Sequence, residues 1–220
     1  MAFESSVDAD NPDIHRLTRR IRRALSRNDL VDAEQSCLTL LEHQPCHQDA
    51  LNFLVQYALQ NDDAVNARKW AERGIAAFPD SGLQQFYLGC ALEKASLHDA
   101  ARDAFIRAIE FDSSLILAQF YQGAQEEALS QHDAMLETYS RALAHAHKTG
   151  MLNAGSSYSA EVHKRVNHAI DVVQHAREAE LDVVLEPLRE RYGRPALARI
   201  QQALDVYLGK AEVKWSHPLQ

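Results

Sequence analysis

Eleven histidines in a chain of 220 residues are the first place to look for chemistry. Two imidazoles share a metal when a helix puts them on one face, three or four residues apart, or when a Cys-x-x-Cys or His-Glu-x-x-His spacing brings in further ligands. His43 and His47 have the spacing but straddle Pro45, a helix stop. His145 and His147 diverge around a helix, and His163 and His168 are one residue out of register. Cys37, Cys46 and Cys90 are widely spaced and odd in number, which reads as small core or surface residues of a reducing compartment. The carboxylate pairs Glu126-Glu127 and Glu178-Glu180 read as solvated helix faces. The sequence contains no nucleophile elbow, phosphate loop or dinucleotide fingerprint. No catalytic residue, metal ligand or cofactor site is therefore assigned, and the expectation is that this chain alone catalyses nothing.

Composition narrows the partners rather than the function. Hydrophobic residues at 46% and charged residues at 25% are ordinary for a globular chain. A formal charge of −8 disfavours nucleic acid as the partner of the whole chain, because a polyphosphate repels it. The opening "MAFESSVDADNPD" has neither the basic start nor the apolar run of a signal peptide, and no window approaches eighteen apolar residues. A cytoplasmic location is expected, with no membrane partner.

The elements that must position any functional side chain come from a self-similarity of 34 residues. Gly89 recurs as Gly123, Phe105 as Tyr139 and Ala108 as Ala142, while "YLGCALEKASLHDAARDAFIRAIEFDSS" falls on "YQGAQEEALSQHDAMLETYSRALAHAHK". Backward, Pro45 aligns with Pro79, Ala33 with Ala67 and Ala101, and Leu54 with Leu88. This period is that of the tetratricopeptide repeat, two antiparallel helices per unit whose stacked units bury one another's apolar faces. The expected fold is an all-α tetratricopeptide solenoid followed by a long helix and a further C-terminal helix. Four units are placed at 14–47, 48–81, 82–115 and 116–149, after a disordered tail over 1–13.

The first unit departs from the pattern by placing Arg20 where later units have Leu54 and Leu88. Leu17, Ile21, Ala24 and Leu25 keep an apolar stripe, so the segment reads as a capping helix with one solvated face. Its arginines, 16, 19, 20, 22, 23 and 27, carry the alternative of an anionic partner, RNA or a membrane surface. Stacking aromatics for a nucleic acid are missing from it.

The repeats stop after "YSRALAHAHKTG". From about Ser159 a near-helical period through Val162, Val166, Ala169, Ile170, Val173, Leu181, Val184, Leu185 and Leu188 predicts one long helix, with Pro187 as a possible kink and Tyr192-Gly193 as its stop. "RPALARIQQALDVYLG" predicts another helix, closing an extension over 150–209, and 210–220 reads as a linker toward a further domain.

A solenoid of this type offers a concave groove lined by the first helix of each unit. Counting within units puts Asn52, Gln56 and Gln60, then Phe86, Cys90 and Lys94, then Phe120, Ala124 and Glu127 on that face. Amides that bridge an extended backbone beside an aromatic anchor make a peptide site. The alternative occupant is the protein's own C-terminal helix or a neighbouring domain.

The order of repeats, a helix containing "RVNHAIDVV", a "PLRERYG" stop, "ALARIQQALDVYLG" and a final "HPLQ" resembles the N-terminal half of bacterial aspartyl/asparaginyl beta-hydroxylase proteins. The resemblance implies a non-catalytic leader of an oxygenase dependent on Fe(II) and 2-oxoglutarate, whose metal and cosubstrate ligands would lie after Gln220. A free-standing peptide-binding adaptor is the competing expectation.

Overall fold

The computed structural model describes residues 12–149 and 160–192, with side chains at 12–149, 160 and 162–179. Nine helices occupy the described residues: α1 (Pro12–Ser26), α2 (Leu30–His43), α3 (Gln48–Gln60), α4 (Ala64–Ala77), α5 (Gly82–Lys94), α6 (His98–Phe111), α7 (Ile116–Ala128), α8 (His132–Lys148) and α9 (Ala160–Tyr192). Each of α1 to α7 packs on its successor, and α3 also meets α5 directly. The result is the all-α repeat solenoid that the 34-residue period predicts. The prolines act as expected, for α2 and α4 stop at His43 and Ala77, each two residues before Pro45 or Pro79.

A repeated turn sets the angle within each helix pair. Asn28, Asp62, Ser96 and Ser130, spaced by 34, all adopt a left-handed backbone with φ of 56–58°. One residue later, the amides of Asp29, Asp63, Leu97 and Gln131 donate to the carbonyls of Ala24, Ala58, Leu92 and Glu126 at 2.8–3.0 Å. This bond satisfies a carbonyl that the end of a helix leaves orphaned. In the first two turns the same residue also starts the next helix, since Asp29 accepts from the Asp32 amide and Asp63 from the Asn66 amide. Leu97 and Gln131 make no such side-chain cap.

The helices of the third and fourth pairs approach closely because a glycine faces a ring. A Cβ added to Gly89 would lie 2.5 Å from the Phe105 ring, and one added to Gly123 would lie 2.4 Å from Tyr139. Both rings are at most 1% exposed. Between the second and third units the large and small partners exchange sides. Gly74 occupies the register position of Ala108 and Ala142, and the space it leaves takes Gln84, whose Oε1 sits 2.1 Å from where a Cβ would be. Gln84 in turn donates to Asn52 Oδ1 at 2.6 Å. One unit later the position of Gln84 is held by Ala118, and the alanine at 108 fits.

The capping role of α1 is visible in its burial. Ile14, Leu17, Ile21 and Ala24 enter the core with Ala33, Cys37, Leu40, Leu51 and Leu54. Arg20 stays outside and bonds Asp32 on α2 at 2.9 Å, so the residue that breaks the repeat pattern closes the first helix pair from its solvent side. The chain divides into two compact units, 1–170 and 171–220. The start of α9, to Ile170, belongs to the first, where Val166 and Ala169 are buried. Its remainder continues as helix past Pro187 to Tyr192. Of the tail expected over 1–13, Pro12 and Asp13 belong to α1, while 1–11, the predicted helix after Gly193 and the linker at 210–220 lie outside the described residues. Among the described residues no helix is long and apolar enough to cross a membrane.

Three consequences are measurable. Gly89→Ala gains helix propensity worth about 1 kcal/mol but drives a methyl into a buried ring at a cost of about 1–3 kcal/mol; the clash wins, and urea unfolding reports a net loss of up to about 2 kcal/mol. Ser96→Gly and Ser130→Gly relieve a left-handed strain of about 1–2 kcal/mol against a smaller gain in unfolded-chain entropy, so each raises the unfolding midpoint. His47 caps α3 by accepting from the Ala50 amide through Nδ1 at 3.3 Å, and burial holds its pKa below the usual 6.5 against the opposing pull of Asp49. The unfolded chain then takes up this proton first as pH falls. The contribution is complete above about pH 6.5 and is lost downward from there to the folded pKa; His47→Asn keeps an acceptor and flattens that part of the stability–pH curve.

Candidate functional site

The first helices of units two to four, α3, α5 and α7, form the face that holds the candidate site, and their side chains are cross-linked unit to unit. Besides the Gln84–Asn52 bond, Gln56 donates to the Tyr87 hydroxyl, Lys94 pairs with Asp62, and Gln125 Nε2 donates to Glu93 Oε1 at 2.8 Å. Gln125 is 1% exposed, and its own oxygen lies 2.9 Å from His98 Nδ1, where the ring N–H donates. His98, at the start of α6, thus reaches into the following unit. His132, one period later, is exposed.

The start of α9 lies on this face. Arg165 forms a two-pronged ion pair with Glu93 of α5, Nη1 to Oε1 at 3.0 Å and Nη2 to Oε2 at 3.1 Å. Its guanidinium carbon sits 4.0 Å from the ring centre of Tyr121 on α7. Three residues along the same helix, His168 Nε2 lies 2.8 Å from Glu127 Oε2, and the His168 ring meets Tyr139 edge-on at 6.3 Å. Glu93 and Glu127 are one period apart, so α9 engages the same repeat position in two successive units.

Next to the Arg165 contact is an open apolar pocket of about 250 Å³, lined by Leu83, Phe86, Ser114, Leu115, Ile116, Leu117 and Ala118. Phe86 joins the two features, since its ring meets Tyr121 nearly perpendicularly at 5.2 Å and Phe105 at 5.7 Å. A pocket wall and the platform under a guanidinium are thus parts of one aromatic cluster.

The residues expected on the groove divide into three groups. Phe86 is half-buried on the pocket wall, and Glu127 is paired with His168. Gln60 and Lys94 are exposed, while Gln56 and Ala124 are partly covered, Gln56 being committed to Tyr87. Asn52, Cys90 and Phe120 are at most 8% exposed and present almost no surface to a ligand. Counting by register treats a first helix as free on one side. For Asn52 that fails because the amide of Gln84 reaches over it. Cys90 lies near enough to Arg165 to feel its charge, but burial dominates and pushes the thiol far above its usual pKa, so it is no nucleophile. Burial and then Glu127 push the Tyr139 hydroxyl up, keeping it a neutral donor to that carboxylate at 3.3 Å.

Glu93, Tyr121, Gln125, Leu83 and Arg165 escaped sequence reasoning. Glu93 and Tyr121 had a signal: Glu93 holds the register position of Glu127, and Tyr121 that of Tyr87. Arg165 had none, because its partners lie 44 and 72 positions away with no repeat to align it. Among the described residues no three His, Cys, Asp or Glu side chains converge as metal ligands. At the other end of the array, His15, Arg16, Arg19, Arg20 and Arg23 of α1 line a cationic cleft of about 650 Å³, with Arg16 paired to Asp13 at 3.2 Å.

The chain matches no protein-family model and no curated protein. Solved structures do match it. A crystal structure of MamA protein superposes with a TM-score of 0.59 at 19% identity, covering 82% of this chain and 95% of that one. MamA from residue 41 to its end, from Desulfovibrio magneticus RS-1, gives 0.57 at 17% identity over 61% and 76%. An O-GlcNAc transferase mutant of Thermobaculum terrenum gives 0.50 at 18%, covering 61% of this chain but only 27% of the transferase. At such identities the likeness is one of fold, a tetratricopeptide-type helical solenoid shared with MamA-type proteins.

Proposed function

We propose that this chain is a protein-interaction scaffold whose repeat face receives a segment of a partner protein. The observation that carries the reading is the open apolar pocket between α5 and α7, continuous through Phe86 with the platform where a helix of the chain itself docks. A pocket of that volume takes one large apolar side chain, and the surrounding amides, hydroxyls and carboxylates fix its orientation. The unit-to-unit bonds hold these groups in place before a ligand arrives, which lowers the entropy lost on binding.

Peptides selected from a random library against the full chain test this reading. Fluorescence anisotropy is expected to show at least tenfold weaker binding to Phe86→Ala and to Leu117→Glu, with Glu72→Gln unchanged as a surface control on α4. Selected peptides that bind all four proteins equally would remove the pocket from the function.

The finer reading, a leader of an Fe(II)/2-oxoglutarate-dependent aspartyl/asparaginyl beta-hydroxylase, draws its support from the "RVNHAIDVV", "PLRERYG" and "HPLQ" tracts. The described residues provide no ligand set for the iron, so in this reading the oxygenase chemistry falls to a domain after Gln220 and the repeats present a protein substrate to it. Coding sequence beyond Gln220 that contains a His-x-Asp or His-x-His arrangement, a later histidine and an arginine would support it; a stop codon there would refute it.

A further inference from the structure

The contact that holds the start of α9 has the chemistry of a recognition subsite rather than of simple helix packing. A carboxylate that receives both prongs of a guanidinium and an aromatic face at 4.0 Å select arginine over lysine, because only a planar, forked cation satisfies both at once. Both partners of the ion pair are largely shielded, with side chains 21% and 20% exposed, so the interaction is screened less than a surface pair. The acceptor is oriented in advance. Gln125 donates to Glu93 and is itself fixed by His98, and both are supplied by the repeats rather than by α9.

We infer that Glu93 and Tyr121 form a guanidinium subsite on the repeat face, occupied in this structure by the chain's own Arg165, and that the partner segment displacing it carries an arginine next to a large apolar residue. The inference rests on the scaffold reading and names the ligand class. Phe86 dictates the combination: its ring walls the apolar pocket and abuts Tyr121, so the two subsites are neighbours on one surface. Glu127, one period along, extends the negative surface and holds His168 in the resident helix. Arg165 therefore acts as a tethered competitor. Its attachment gives it an effective concentration that an incoming peptide must overcome. It also keeps Glu93 paired when no partner is present.

The probe is a labelled synthetic peptide of residues 160–170, AEVHKRVNHAI, titrated into the full 220-residue chain. Arg165→Ala vacates the subsite and is expected to bind the probe at least tenfold more tightly than the native chain does. Adding Glu93→Gln to Arg165→Ala cancels the gain, as does a probe with citrulline in place of arginine. Equal affinity for native and Arg165→Ala chains, or equal affinity of the arginine and citrulline probes, overturns the inference. Should Arg165→Ala fail to fold by circular dichroism, Arg165→Lys keeps the charge without the fork. Hydrogen exchange at residues 163–170 is then expected to quicken at least tenfold while α5 and α7 keep their protection, and unchanged exchange overturns it as well. If library peptides still require Phe86 while the 160–170 probe is indifferent to Arg165, the subsite falls and the scaffold reading stands.

Discussion

Everything in this protein depends on how closely two helices of a pair can approach. At Gly89 and Gly123 the absence of a side chain lets the Phe105 and Tyr139 rings lie where a methyl group would be. That contact draws α5 to α6 and α7 to α8, and left-handed turn residues at 96 and 130 with nearly the same φ close the two pairs. Repetition then follows without further instruction. A pair closed in this way has an apolar flank that it cannot bury alone, and the next pair covers it. The groove is a by-product of this stacking, because each pair sets its first helix beside that of the pair before it, as α3 meets α5.

The period makes some departures from it readable. Arg20 replaces a leucine at the outer end of the array, where no preceding unit exists to cover it, and bonds Asp32 instead. The Gly74–Gln84 exchange is of another kind. Moving bulk from one side of an interface to the other preserves packing, but it puts a polar amide at a fully buried position, where its nitrogen donates to Asn52 while its oxygen has no hydrogen-bond partner. The pair marks a place where unit two and unit three recognise each other specifically rather than through interchangeable apolar contacts.

Local pattern carried most of the fold and only part of the site. The 34-residue spacing, the prolines after α2 and α4 and the long apolar period after 159 were all legible because each is written in neighbouring residues. The left-handed turns were less so: Asn28, Asp62, Ser96 and Ser130 share a position but not an identity, and only a glycine there would have declared the conformation. For the groove, register nominated Phe86, which lines the apolar pocket, and Glu127, which pairs with His168, and also Asn52, Cys90 and Phe120, which are enclosed. Register knows which way a helix faces, but not what lies across from it. Arg165 makes the point most sharply, since its role depends on a docking of α9 that no periodicity encodes.

That docking also explains why the repeat face carries charged and polar groups where a permanently covered face would favour apolar surface. A face covered permanently is best covered by hydrophobic packing, which is stronger per unit area and needs no geometric match. Here α9 is held partly by Val166 and Ala169 and partly by two polar contacts, the Arg165–Glu93 ion pair and the His168–Glu127 hydrogen bond, each reaching a different unit. Charged groups that can return to water make separation less costly than exposing an equal area of leucine, while the fork and the aromatic platform keep the closed state specific. The carboxylates remain soluble when uncovered, and the apolar pocket beside Phe86 is small enough to stand open without driving aggregation. A surface built in this way suits an occupant that leaves and returns.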